Sequence, residues 1–154
     1  MTKNSELSVS RLIKAPRSAV WRAWAEPEQF AKWWIPEPTK CRVVKMDMRA
    51  GGGFETLMSE NGGAYQPHVE GCFLDIVPQQ RIVFTTVLKQ GWQPIEPWLA
   101  MTSIITMEDE GAGTKYVARA LHRNPADSQK HEEMGFYEGW GGVIDQLGKL
   151  VETL

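Results

Sequence analysis

Long apolar runs are missing from this chain. No segment approaches the roughly 20 apolar residues that a membrane helix needs, so no membrane span is expected. An excess of one charge is missing too. Seventeen Lys and Arg face nineteen Asp and Glu, a formal net charge of −2. No basic run disturbs that balance, which removes the electrostatic case for nucleic acid or an anionic membrane surface as partner. Cysteine is scarce. Cys41 and Cys72 are far apart, lie in expected strands, make no metal motif, and read as free packed thiols of a reducing compartment. Met1 to Ser10 is polar and lacks the apolar core of a secretory signal, so a cytoplasmic location is expected. Gly51-Gly52-Gly53 lacks the Lys and the following helix of a phosphate loop, and no local Ser–His–Asp or Cys–His triad occurs. No cofactor is therefore expected. Repeats, low-complexity segments and linkers are absent, and residues 1–154 are read as one domain.

Tryptophan is plentiful, with seven residues in 154. Some must serve a core, but Trp also lines apolar ligand sites. The stretch from Asn124 to Leu154 reads as one long amphipathic helix. Asn124 suits the N-cap, Pro125 the first helical position, and Asp127 the positive helix start. Tyr137, Trp140, Ile144, Leu147, Val151 and Leu154 then recur at an unbroken 3-4-3-4-3 spacing, so one face is to be covered. Gly135, Gly139, Gly141, Gly142 and Gly148 are costly inside a helix. They allow either a close approach of sheet or ligand, or a kink near Gly141-Gly142 that gates a cavity.

The rest reads mainly as strand. Residues 7–14 form a first strand. Pro16 opens a helix with Val20, Trp21, Trp24 and Ala25 on its apolar side, and Pro27 starts a second short one carrying Phe30, Trp33 and Trp34. Val44, Met46 and Met48 alternate with Lys45, Asp47 and Arg49. Further strands follow over 54–58, 69–77, 81–88, 101–107 and 115–123. Gly-rich turns and Pro78-Gln79-Gln80 separate them, and a Pro-held loop spans 91–97. Strands joined in this way pair antiparallel. The fold class is therefore α+β.

This order, with particular residues, resembles the Bet v 1/START-like superfamily, also called SRPBCC or helix-grip. Within it the chain is similar to the branch named after the activator of Hsp90 ATPase homologue 1. Ala15-Pro16 with Val20-Trp21, Trp24 and Pro27, then Phe30 with Trp33-Trp34, carry the resemblance. So do Gly71-Cys72-Phe73, Pro78 with Arg81 to Thr85, Gly113-Thr114, and Gly139-Trp140 leading into Leu147. It implies a curved antiparallel sheet of six to seven strands gripping a long C-terminal helix, with two short helices after the first strand. It also implies a cavity for an apolar ligand between helix and sheet. Co-chaperone activity is not expected, because the eukaryotic co-chaperone has a separate N-terminal domain that this chain has no room for.

Strand parity selects the candidate site. Val44, Met46 and Met48 are expected to face in, as are Phe54, Thr56 and Met58, and Tyr116, Ala118, Ala120 and His122. Cys72, Leu74 and Ile76 are the expected buried face of their strand. That register carries His68 and Glu70 inward unless a β-bulge reverses it. Trp33, Phe54, Phe84, Trp98, Phe136 and Trp140 would supply apolar contact, the inward-facing Met46 and Thr56 would join them in the site, and His68, Glu70, Tyr116 and His122 would orient a ligand. The plainer alternative is that each simply packs as core. His68, Glu70, His122 and His131 form the sharpest chemical set. They could serve acid–base chemistry or, less readily at such scattered spacing, a zinc ion. The leading expectation is a binder of a small apolar or aromatic molecule. Its rivals are an enzyme using acid–base chemistry in the same cavity and a protein-interaction module, related to chaperone regulation by resemblance only, with an exposed patch around Trp92 to Trp98. The 91–97 loop and Trp33-Trp34 are alternatively contacts of a homodimer.

Overall fold

The computed structural model describes residues 5–153. Strand β1 (Glu6–Ile13) leads to α1 (Arg17–Ala25) and α2 (Pro27–Phe30). Proline sets both helix starts: Pro16 is the N-cap of α1, and Pro27 opens α2, where a missing N–H costs nothing. There follow β2 (Lys40–Met46), β3 (Gly53–Ser59), β4 (Gln66–Val77), β5 (Arg81–Thr85), the two-residue strands β6 (Leu88–Lys89) and β7 (Gln93–Pro94), β8 (Thr102–Glu110) and β9 (Gly113–Leu121). Seven strands make one antiparallel sheet in the order β1-β9-β8-β5-β4-β3-β2, and β6 and β7 pair as a separate hairpin. Among the described residues no helix is long and apolar enough to cross a membrane.

The sheet has two halves. From β5 through β8 and β9 to β1 the pairing runs without a register shift. From β2 to β5 it shifts three times: between Val43 and Lys45, between Thr56 and Leu57, and between Phe73 and Asp75. Each shift adds local twist and bend, which curls this half of the sheet. The bulges also correct the parity expected from sequence. Val44 points away and is 49% exposed, while Cys41, Val43 and Met46 pack toward the core. On β4, Phe73 joins the main core and Leu74 is only half-buried; Cys72 is fully buried outside that cluster, and Ile76 packs against the cluster after the shift.

The expected single helix is two. Helix α3 (Pro125–Glu133) begins as its sequence suggests: the Asn124 side chain accepts from the Asp127 N–H at 2.8 Å and Pro125 takes the first turn. It ends at Met134, and Gly135, at φ 94°, reverses the backbone before α4 (Phe136–Glu152). That left-handed conformation suits glycine. The kink therefore falls at Gly135, and α4 runs unbroken through Gly141 and Gly142. The covered face of α4 carries Phe136, Val143, Ile144, Leu147 and Val151. Tyr137, expected on that stripe, is 43% exposed, and Leu154 lies outside the described residues.

At the α1 end, α4 closes on a dense aromatic core. The Trp24 ring lies 4.9–6.5 Å from Phe30, Trp33, Trp34, Phe54 and Phe84. Two of the indole tips are satisfied: Trp24 Nε1 donates to Tyr116 Oη at 2.8 Å, and Trp33 Nε1 to the Ala23 carbonyl at 2.9 Å. Gln146 fastens α4 there, donating to the carbonyls of Trp33 and Ile35 and accepting from the Glu37 N–H.

Candidate functional site

At the other end the helix–sheet layer is hollow. Helix α3 is polar and buries only Ser128 and His131. With no apolar stripe to sink into the sheet, it leaves the surface beneath it partly uncovered. The result is a cavity of about 380 Å³. Its walls are Pro67 to Glu70 of β4, the segment from Ile95 to Leu99 with Met101, and Trp34 with Pro36. The α3–α4 joint closes it with His131, Met134, Gly135, Gly139, Trp140 and Val143.

Of the residues selected from sequence, the cavity brings together His68, Glu70, Trp98 and Trp140. Trp33, Phe54, Phe84 and Tyr116 are instead sealed in the aromatic core, and Met46 packs against its edge. The Tyr116 hydroxyl is spent on Trp24, and burial pushes its pKa up. Phe136 is buried beside Leu7 and Ala120. Period-2 patterning tells inside from outside; it does not tell core from cavity. Trp34, Leu99, Met101, Met134 and Val143 escaped selection because they belong to turns, element ends and a helix flank.

Two histidines supply the chemistry. A bulge opposite Thr56 and Leu57 turns His68 inward, and its Nδ1 lies 3.0 Å from the Thr56 hydroxyl. Thr56 is fully buried and reaches the cavity only through this contact. Trp98 Nε1 donates to the His68 carbonyl at 3.4 Å, which ties the exposed Trp98 to β4 at the cavity wall. On α3, His131 Nδ1 lies 2.8 Å from His122 Nε2, and His122 Nδ1 lies 2.9 Å from the Ser5 carbonyl. His122 itself does not line the cavity; it stands behind His131.

Burial pushes both His68 and His131 down to about 4, His122 adding to the effect on His131, so both are neutral at pH 7. The cavity thus offers apolar walls, two uncharged imidazoles, and the carboxylates of Glu70 and Glu96. The Trp34 indole N–H adds a buried donor without a partner among the described residues. His68 and the His122–His131 pair are not gathered into one cluster, and among the described residues no three His, Cys, Asp or Glu side chains converge as metal ligands. Cys41 and Cys72 are free, and burial pushes the Cys41 thiol up to about 11.

A curved seven-stranded sheet closed over a C-terminal helix, with short helices after the first strand, is the helix-grip arrangement of the SRPBCC/Bet v 1-like superfamily. Residues 14–152 match the activator of Hsp90 ATPase homolog 1-like protein family, and the chain belongs to it. Protein NE0264 from Nitrosomonas europaea is 38% identical, with a TM-score of 0.86 over 96% of this chain and 94% of that one. Protein CV1439 from Chromobacterium violaceum is 26% identical, with a TM-score of 0.73 over 96% and 97%. Protein Ms6760 from Mycobacterium smegmatis shares the fold at 21% identity, with a TM-score of 0.80 over 97% and 92%. A comparison with curated proteins returns no match.

Proposed function

We propose that this protein binds a small apolar or aromatic molecule in the cavity between β4, the 95–101 segment and the α3–α4 joint. The carrying observation is the cavity itself. About 380 Å³ falls within the roughly 300–1,000 Å³ of small-molecule sites. Apolar walls from Trp34, Val69, Leu99, Met101, Trp140 and Val143 supply contact area, while His68 and His131 supply orientation without charge. An anionic ligand head would lose its hydration there and face Glu70 and Glu96 with no Lys or Arg in the lining; a neutral one would not. Family membership supports the reading, since the fold is commonly a ligand-binding scaffold.

The test is a thermal-shift and Trp-fluorescence titration against fatty acids, sterols, flavonoids and aromatic polyketides. At a hundredfold excess over Kd, binding to the native state adds about 2.7 kcal/mol of stability. A saturable rise in Tm with quenched emission, lost in Val143→Trp, supports the cavity as the site. No shift across the panel would sink the reading. One observation favours a second use of the same space: His131 backed by His122 has the arrangement of a general base with its orienting partner. That reading requires turnover of a bound ligand whose rate falls with acid and is lost in His131→Phe.

A further inference from the structure

The His122–His131 pair does more than fill the α3 end of the cavity. Its hydrogen bonds fix where the protons are. The chain of contacts starts at the Ser5 carbonyl, which only accepts, so His122 Nδ1 must carry a proton and donate. In a neutral imidazole the other nitrogen then bears a lone pair, so His122 Nε2 accepts. Its partner at 2.8 Å, His131 Nδ1, must therefore donate. His131 in turn is left with a lone pair on Nε2. That atom has no partner among the described residues, and it is not among the sealed, unpartnered polar atoms. Phe136 and Trp140 stand edge-on to the ring, with centroids 5.1 and 6.1 Å away, and hold its orientation.

We propose that this relay makes His131 Nε2 a fixed hydrogen-bond acceptor on the cavity wall, and that the occupant is an apolar molecule carrying a hydroxyl group that donates to it. The inference rests on the cavity being the binding site. It narrows the ligand class: a hydroxyl is favoured over its methyl ether, which has no proton to give, and over a carboxylate, whose oxygens meet a lone pair.

The same bookkeeping makes the preference pH-dependent. One proton added to the pair must occupy the remaining lone pair, whichever ring carries the charge, and Nε2 then becomes a donor. Few other charges face His131. On β1, Glu6 is tied to Arg119 at 2.7 and 2.9 Å. On α3, Asp127 is tied to Arg123, and Lys130, Glu132 and Glu133 lie on its exposed side. Glu138 is the acidic residue of the first turn of α4, and His68, Glu70 and Glu96 share the cavity wall.

The experiment pairs a spectroscopic reading with a binding one. Nitrogen-15 NMR of the imidazole rings at pH 7 is expected to show both His122 and His131 as Nδ1–H tautomers. An Nε2–H tautomer at His131 would overturn the proposal. Titration with 2-naphthol and 2-methoxynaphthalene is expected to favour the naphthol by about tenfold, the worth of one net hydrogen bond. The preference should disappear in His131→Phe and in acid near pH 4. In His122→Phe, the His131 tautomer should no longer be fixed and the preference should fall with it; if that variant does not fold, the wild-type tautomer and the His131→Phe ratio decide. Equal affinity for both probes in the wild type would remove the hydroxyl preference and leave the cavity standing. Failure of both probes to bind would remove the cavity reading and this inference together.

Discussion

The two ends of the layer between helix and sheet are built from similar residue types and come out differently. At the α1 end Trp24, Phe30, Trp33, Trp34, Phe54, Phe84 and Tyr116 interlock, and the indole N–H groups of Trp24 and Trp33 find acceptors. At the α3 end Trp98, Trp140, His68 and His131 surround space instead of one another. The difference comes from what covers each end. Helix α4 brings five buried apolar residues to the sheet; α3 brings one serine and one histidine. A large side chain is therefore core or cavity wall according to the helix above it, not according to its own character.

Substitutions sort along that contrast. The largest effect is expected at the filled end: Trp24→Ala or Phe54→Ala should cost about 3–5 kcal/mol, read as a lowered Tm or denaturant midpoint. Trp140→Ala at the hollow end should cost clearly less, because open space already adjoins it. Equal losses would erase the distinction between the two ends.

Acid comes next. His68 and His131 have folded-state pKa values near 4, below the unfolded value of 6.5. The folded state thus binds fewer protons than the unfolded one in this window. The stability present above pH 6.5 should therefore drain away as pH falls toward 4, by up to about 1.4 kcal/mol per pH unit for each histidine. Replacing both with Gln should flatten that slope; an unchanged slope would show that these two histidines do not carry it.

Tyr116→Phe should cost about 1–3 kcal/mol, because it strands the buried Trp24 N–H, and should leave ligand affinity unaltered. A loss of affinity without a loss of stability would place Tyr116 back in the cavity. The smallest effect has the opposite sign. A Cβ on Gly139 meets nothing within 4 Å, so Gly139→Ala should stabilise α4 by about 0.5–1 kcal/mol while trimming the cavity. Gly142→Ala, equally unobstructed but away from the cavity, should stabilise without changing binding.

How far the sequence could be read depended on whether a signal was local. The start of α3 was legible because Asn124 and Pro125 act on their own next turn. The α4 stripe was legible at Trp140, Ile144, Leu147 and Val151, where helical period alone decides facing, but not at Tyr137, which falls at the edge of that stripe in the first turn, where Phe136 is the residue buried. Strand parity held along β9, which pairs without a shift, so that Tyr116, Ala118, Ala120 and His122 are all buried. It failed at Val44 and at Leu74, next to bulges that the pairing with a neighbouring strand reveals and the strand's own alternation does not.

The sequence by itself determined the order of elements, the α+β class and the family, because periodicity, caps, turns and motif order are properties of the chain read locally. Tertiary structure alone decided which inward residues fill space and which enclose it, where the C-terminal helix breaks, and that His122 stands behind His131. Those outcomes depend on which surfaces meet across long separations, and helical or strand period carries no information about the residue on the other side.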